Sequence, residues 1–151
     1  MGEPPSNTIE PDQDFAPDER LYRRLAFDDL IQDHRIDPIS IRVTDCSFNR
    51  SKYSSLGAVI VAGNPRENGA ASVRVDEIPV ELYCDNSKKI IDVSIAHDPE
   101  PANYAHTEIR MTRRGETWER GKRMSATIRK KMQELLSDKL RIEILPTQIS
   151  E

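Results

Sequence analysis

The chain has 151 residues, a formal net charge of −4, 32% charged and 5% aromatic side chains, which is the size of one domain with a single modest core. No apolar run approaches the roughly 18 residues that a membrane helix needs. The two cysteines, Cys46 and Cys84, lack CxxC spacing, which argues against a disulfide framework and leaves small buried thiols as the reading.

The opening MGEPPSNTIEPDQDF is acidic and proline-rich where an export signal needs a basic start and an apolar stretch. The expectation is a cytoplasmic protein with no membrane association. Residues 1–17 carry four prolines and no hydrophobic period, which predicts a flexible or loosely docked acidic arm that adds little to the fold. One domain is expected over residues 18–146, with 147–151 as a polar tail.

Within that domain, Asp18 and Glu19 precede LYRRLAFDDLI, a pattern that predicts a short helix carrying Leu21, Leu25 and Leu30, its carboxylates at the favourable end. Ile39, Ile41 and Val43 alternate with Ser40 and Arg42, as in a strand. Residues 44–55 read as a polar loop and the apolar run 58–62 as a strand, closed by the turn formers Gly63, Asn64, Pro65 and Gly69. Val73 with Val75, then Val80, Leu82 and Cys84, predict two further strands, the second confined by Pro79 to an edge or a strand start.

Ile91, Val93 and Ile95 oppose Asp92 and Ser94, a half-buried strand in which His97 takes the apolar parity. Asp98, Pro99, Pro101 and Asn103 then form a stiff turn. Beyond it Ala105, Thr107, Ile109 and Met111 share one face, and His106, Glu108 and Arg110 share the other. From about 117 to 140, Met124, Ile128, Met132, Leu135, Leu136 and Leu140 recur at steps of three and four, the stripe of a helix lying across a sheet. Residues 141–145 form a last short strand before Pro146. The predicted class is α+β: a mixed, mainly antiparallel sheet with a short N-terminal helix and a long amphipathic C-terminal helix.

Candidate chemistry centres on His97, His106 and Glu108, the last two in HxE spacing. An imidazole titrating near neutrality can accept a proton while arginine or lysine holds an anion. Arg24, Asn49, Arg50, Lys52, Tyr53 and Asn103 are the candidate ligand-binding residues, and the reading needs the 50–53 loop to meet His97, Asn103 and His106 in one wet concavity. A metal would require one more histidine beside His106 and Glu108; no histidine follows His106 and the usual order of such a triad is not reproduced, so no metal and no cofactor is expected. The bland alternative stays open, in which Asn103 and His106 only cap loop amides and carbonyls.

Charge is uneven. Residues 1–40 hold ten acids and four bases, a surplus of six negative charges, whereas 110–141 hold eleven bases and four acids, a surplus of seven positive. Arg123, Arg129, Lys130 and Lys131 are therefore candidates for phosphate contact, although only Trp118 offers a ring for base stacking nearby. A solvated helix face explains the same charges.

Three blocks, LYRR at 21–24, NRSKYS at 49–54 and DPEPANYAH at 98–106, together resemble a family of small uncharacterised bacterial proteins carrying them in this order. The resemblance spans residues 21–110. It implies a bacterial cytoplasmic origin in multi-gene mobile-element or defence loci, and brings no assigned activity. The leading expectation is a non-catalytic binding module or accessory subunit that recognises a protein partner from the same operon, or an anionic ligand. The alternatives are a small His-dependent phosphodiester-processing or nucleotide-modifying enzyme, with Glu108 orienting His106, and nucleic-acid binding through the basic helix.

Overall fold

The structure is a computed structural model that describes residues 10–84 and 89–149, apart from the side chains of Asp33 and Cys84. In chain order the elements are β1 (Arg20–Leu25), β2 (Leu30–Ile31), β3 (Arg35–Ile36), β4 (Cys46–Arg50), α1 (Leu56–Ala62), β5 (Gly69–Arg74), β6 (Glu81–Cys84), β7 (Lys89–His97), β8 (His106–Arg113), α2 (Ala126–Lys139) and β9 (Arg141–Ile144). Seven strands form one sheet in the order β6-β7-β8-β4-β1-β5-β9, every neighbouring pair antiparallel. The α+β class holds, built on a large antiparallel sheet and two helices. No helix among the described residues is long and apolar enough to cross a membrane.

One face of the sheet carries the core. Leu21, Leu25, Phe48, Val73, Ile91 and Ile109 alternate onto it and meet Ile128, Met132 and Leu136 of α2. Ser125 caps that helix by accepting from the Ile128 amide, so α2 begins nine residues later than the periodicity predicted. Residues 114–125 instead cross from one face of the sheet to the other, and the Gly121 amide donates to Asp45 beside the start of β4. The buried stripe itself lies where the three-and-four spacing put it.

Four local readings are corrected. The predicted N-terminal helix is β1, paired with β4 and β5; leucines four apart share a face in both helix and strand, so their spacing does not discriminate. The strand predicted around Ile39 to Val43 does not form: a 3-10 turn occupies Pro38–Ser40, with Pro38 at its start and the Asp37 carboxylate accepting from the Ile39 amide, and irregular chain follows to Asp45. Ile41 and Val43 are still buried, while Ile39 is 82% exposed. The predicted loop at 44–55 contains β4, whose inward positions are Cys46, Phe48 and Arg50, and the arginine at the third inward position hid the alternation. The run 58–62 belongs to α1, nucleated by Ser55 capping the Ala58 amide.

Cys46 matches the buried-thiol reading: it is free, and burial pushes its thiol up to about 11. The Cys84 side chain lies outside the described residues.

Leu136 is fully buried against the sheet. Leu136→Ala should lower the unfolding free energy by about 2–5 kcal/mol, read as a lower urea midpoint with an unchanged slope.

Candidate functional site

Strand parity divides the predicted site residues between the two sides of the sheet. Asn49 and Arg50 are consecutive on β4 and so point to opposite faces. Arg50 shares the core face with His97, whereas Asn49 stands opposite His106 across the β4–β8 ladder. The single concavity expected from the sequence is therefore not formed, and two clusters take its place.

The first cluster is structural. Arg50 is fully buried, and its guanidinium makes a bidentate pair with Glu19, Nε to Oε2 at 2.8 Å and Nη2 to Oε1 at 2.7 Å. The remaining donors reach the carbonyl oxygens of Asp12 and Asp14, and the Phe15 ring lies 4.0 Å from the guanidinium carbon. Burial works against its charge, and Glu19 more than restores it.

His97 ties down the same segment. Its Nδ1 accepts from the Asp12 amide at 2.8 Å, so the proton sits on Nε2, which donates to the Tyr104 carbonyl. The Gln13 side chain pairs with the His97 backbone in both directions. Tyr53 stacks on His97, and Tyr104 meets both rings edge-on. Tyr53 and Lys52 donate to the Asp12 carboxylate, Tyr53 foremost in holding it well below the usual carboxylate range. Residues 10–17, expected to add little, thus supply partners to the most buried cation among the described residues. Arg50, Lys52, Tyr53 and His97 are spent on this internal contact.

The second cluster lines a polar cleft of about 380 Å³ on the opposite face, where Arg24, Asn49, Asn103 and His106 do come together, joined by Tyr22, Arg23, Asp29, Ser40, Ser47, Glu67 and Glu100. The Asn103 amide donates to Asn49 Oδ1 at 2.6 Å. His106 Nδ1 lies 2.8 Å from the Asp98 carbonyl oxygen and Nε2 lies 3.2 Å from Ser47 Oγ. Arg24 runs across Gly63, where an added Cβ would sit 2.2 Å from the arginine Cδ, and ends 3.7 Å from Glu67.

Arg23 fills the gap where β1 and β4 splay. Its guanidinium lies 5.8 Å from the centre of the Phe48 ring and 3.5 Å from the Ser47 carbonyl oxygen, with no carboxylate partner among the described residues. Ser47 and Arg23 were missed from the sequence. Ser47 sits two positions before Asn49 and would have been found had 46–50 been read as a strand.

Glu108 does not orient His106. It is buried beside it and accepts from Arg110 and Arg120, which bracket Trp118 at 3.8 and 5.2 Å from the ring centre. Burial raises its carboxyl, and the hydrogen bonds from Arg120 and Arg110 more than reverse this, leaving it below the ordinary value. Ligand atoms of Asp98, His106 and Glu108 lie within 4.8 Å of one another, but both carboxylates already answer guanidinium groups. A cation would have to displace two arginines to bind there.

The basic residues of α2 stand on the far side of the sheet. Arg129 donates to the Met124 carbonyl and Lys131 to the Tyr83 carbonyl, while Lys130 and, just ahead of the helix, Arg123 are exposed. Two depressions beside α2 are larger than the polar cleft, about 530 and 490 Å³. The second includes Arg123 and Arg129 and shares only Ser40 with the histidine cleft, and the first shares none of its residues.

In comparisons with protein-family models, curated proteins and solved structures, nothing matches this chain.

Arg50→Met should destabilise the fold by about 3–5 kcal/mol in urea melts, because Glu19 is left buried and charged; adding Glu19→Gln should recover part of that loss. For Glu108 the folded carboxyl titrates below the ordinary 4.5, so its contribution is fully present above that pH and lost as pH falls through the folded value. Glu108→Gln should flatten the acid limb of the stability curve below about pH 5, followed by urea midpoints at each pH.

Proposed function

We propose that the protein is a binding module, acting as an accessory subunit of a bacterial multi-gene system, whose polar cleft receives an anionic group. The observation that carries this reading is Arg23, a cation at the cleft without a carboxylate of its own among the described residues. The neighbouring acids are occupied or peripheral. Asp29 accepts from the Ala26 amide, Glu67 accompanies Arg24, and Glu100 is exposed in the turn.

Nearly every residue lining the cleft is polar, which disfavours an apolar ligand and favours one recognised by charge and hydrogen bonds. Asn49, Asn103 and Ser47 are the groups that would select among anions, because they offer directed donors and acceptors rather than charge alone. The acidic rim disfavours highly charged polyanions, so the fitting ligand carries one or two negative charges on a polar body. This distinguishes the cleft from the basic α2 surface, where any anion binding would be diffuse and steeply salt-dependent.

Titration calorimetry with inorganic phosphate and with simple phosphate monoesters tests the reading. Arg23→Ala should weaken binding about 10- to 100-fold, the range expected for one charge-assisted hydrogen bond, and leave the melting temperature within a few degrees. Equal affinity in the wild type and Arg23→Ala, or no heat from either, would remove the cleft as an anion site.

A further inference from the structure

We infer that Ser47 is a nucleophile activated by His106, and that the cleft cleaves a phosphodiester whose negative charge rests against Arg23. The inference rests on the cleft being the anion site and adds a reaction to it.

The register of β4 and β8 creates the pair. Ser47 stands opposite Glu108 and Asn49 opposite His106, so Ser47 and His106 are diagonal neighbours on one face. The Asp98 carbonyl can only accept, so its contact with His106 Nδ1 fixes the ring proton on that nitrogen. The Nε2 lone pair is then aimed at Ser47 Oγ, 3.2 Å away. A hydroxyl, a base within hydrogen-bond reach and a third group that orients the base are the parts nucleophilic catalysis requires. Exposure is divided suitably between them: Ser47 is open to solvent, while His106 is only 9% exposed. Asp98 and Glu108 place carboxylate oxygens within 4.8 Å of the imidazole, so a transient imidazolium has anionic neighbours even though Arg110 and Arg120 share them.

Arg23 selects the electrophile. Its guanidinium lines the same cleft as Ser47 and lies 3.5 Å from the Ser47 backbone carbonyl oxygen, which favours a centre that bears negative charge in the ground state and gathers more in the transition state. In the first step Ser47 Oγ bonds to phosphorus, its proton moves to His106 Nε2, the bond from phosphorus to the leaving oxygen breaks, and the imidazolium protonates that oxygen as an alcohol departs. In the second, His106 takes a proton from water as its oxygen attacks phosphorus. The bond to Ser47 Oγ then breaks, the proton returns to the serine, and a phosphate monoester leaves.

The 151-residue chain is incubated with bis(p-nitrophenyl) phosphate, and both p-nitrophenolate release and covalent mass at Ser47 are followed. Release above buffer, lost at least about 100-fold in Ser47→Ala and in His106→Asn, is the expected result. Ser47 is exposed, so Ser47→Ala should remain folded whatever His106→Asn does to the turn. Release equal in wild type and Ser47→Ala would overturn the inference. Calorimetric phosphate binding by wild type without any nitrophenolate release would also overturn it and leave the anion site standing; absence of both binding and release would end both readings.

Discussion

The buried guanidinium of Arg50 is the constraint around which this fold is arranged. A charge at zero exposure survives only when every donor is answered, since removing a cation from water costs several kcal/mol even after relaxation. Glu19, just ahead of β1, supplies the countercharge, and two backbone carbonyls of the segment before it supply the rest. That demand draws residues 12–19 onto the end of the sheet and brings Phe15 over the guanidinium. It also explains why His97 and Tyr53 are ordered there: each binds Asp12, one through its amide and the other through its carboxylate. A histidine, an arginine, a lysine and a tyrosine that look like a ligand site in the sequence are a fastening in the structure.

The same alternation that buries Arg50 leaves its neighbours on the other side. Ser47 and Asn49 face away from α2, and β8 contributes His106 and Glu108 beside them. The core face is sealed by α2, whereas the opposite face is covered in pieces, by α1 over β1 and β5 and by the Trp118 segment stacked on Arg110. The polar cleft lies on this partly covered face. Its polarity is thus a consequence of incomplete cover: side chains on that part of the sheet meet water, and groups with hydrogen-bonding capacity left over can serve a ligand.

Within the cleft, the division between saturated and unsaturated groups carries the functional argument. Glu108 is fully engaged and holds two arginines in place. Arg24 is shared with Glu67 at longer range. Arg23 and the Ser47–His106 pair are the parts with chemistry to spare, and all three residues line the one cleft.

The sequence by itself determined the periodic elements: β7 and β8 with their faces, the buried stripe of α2 and the terminal strand all follow from alternation or three-and-four spacing within one segment. It also brought forward Asn103, His106, Asn49 and Arg24, which the cleft does unite. Short segments stayed ambiguous for a physical reason. Leu21 and Leu25 satisfy helix and strand alike, and the choice fell to the hydrogen bonds that β4 and β5 offer β1. Only the tertiary structure decided which side of the sheet each polar residue occupies and which charges are already answered. Those properties depend on partners dozens of residues away, such as Glu19 for Arg50 or Ser47 for His106, and no local pattern encodes them.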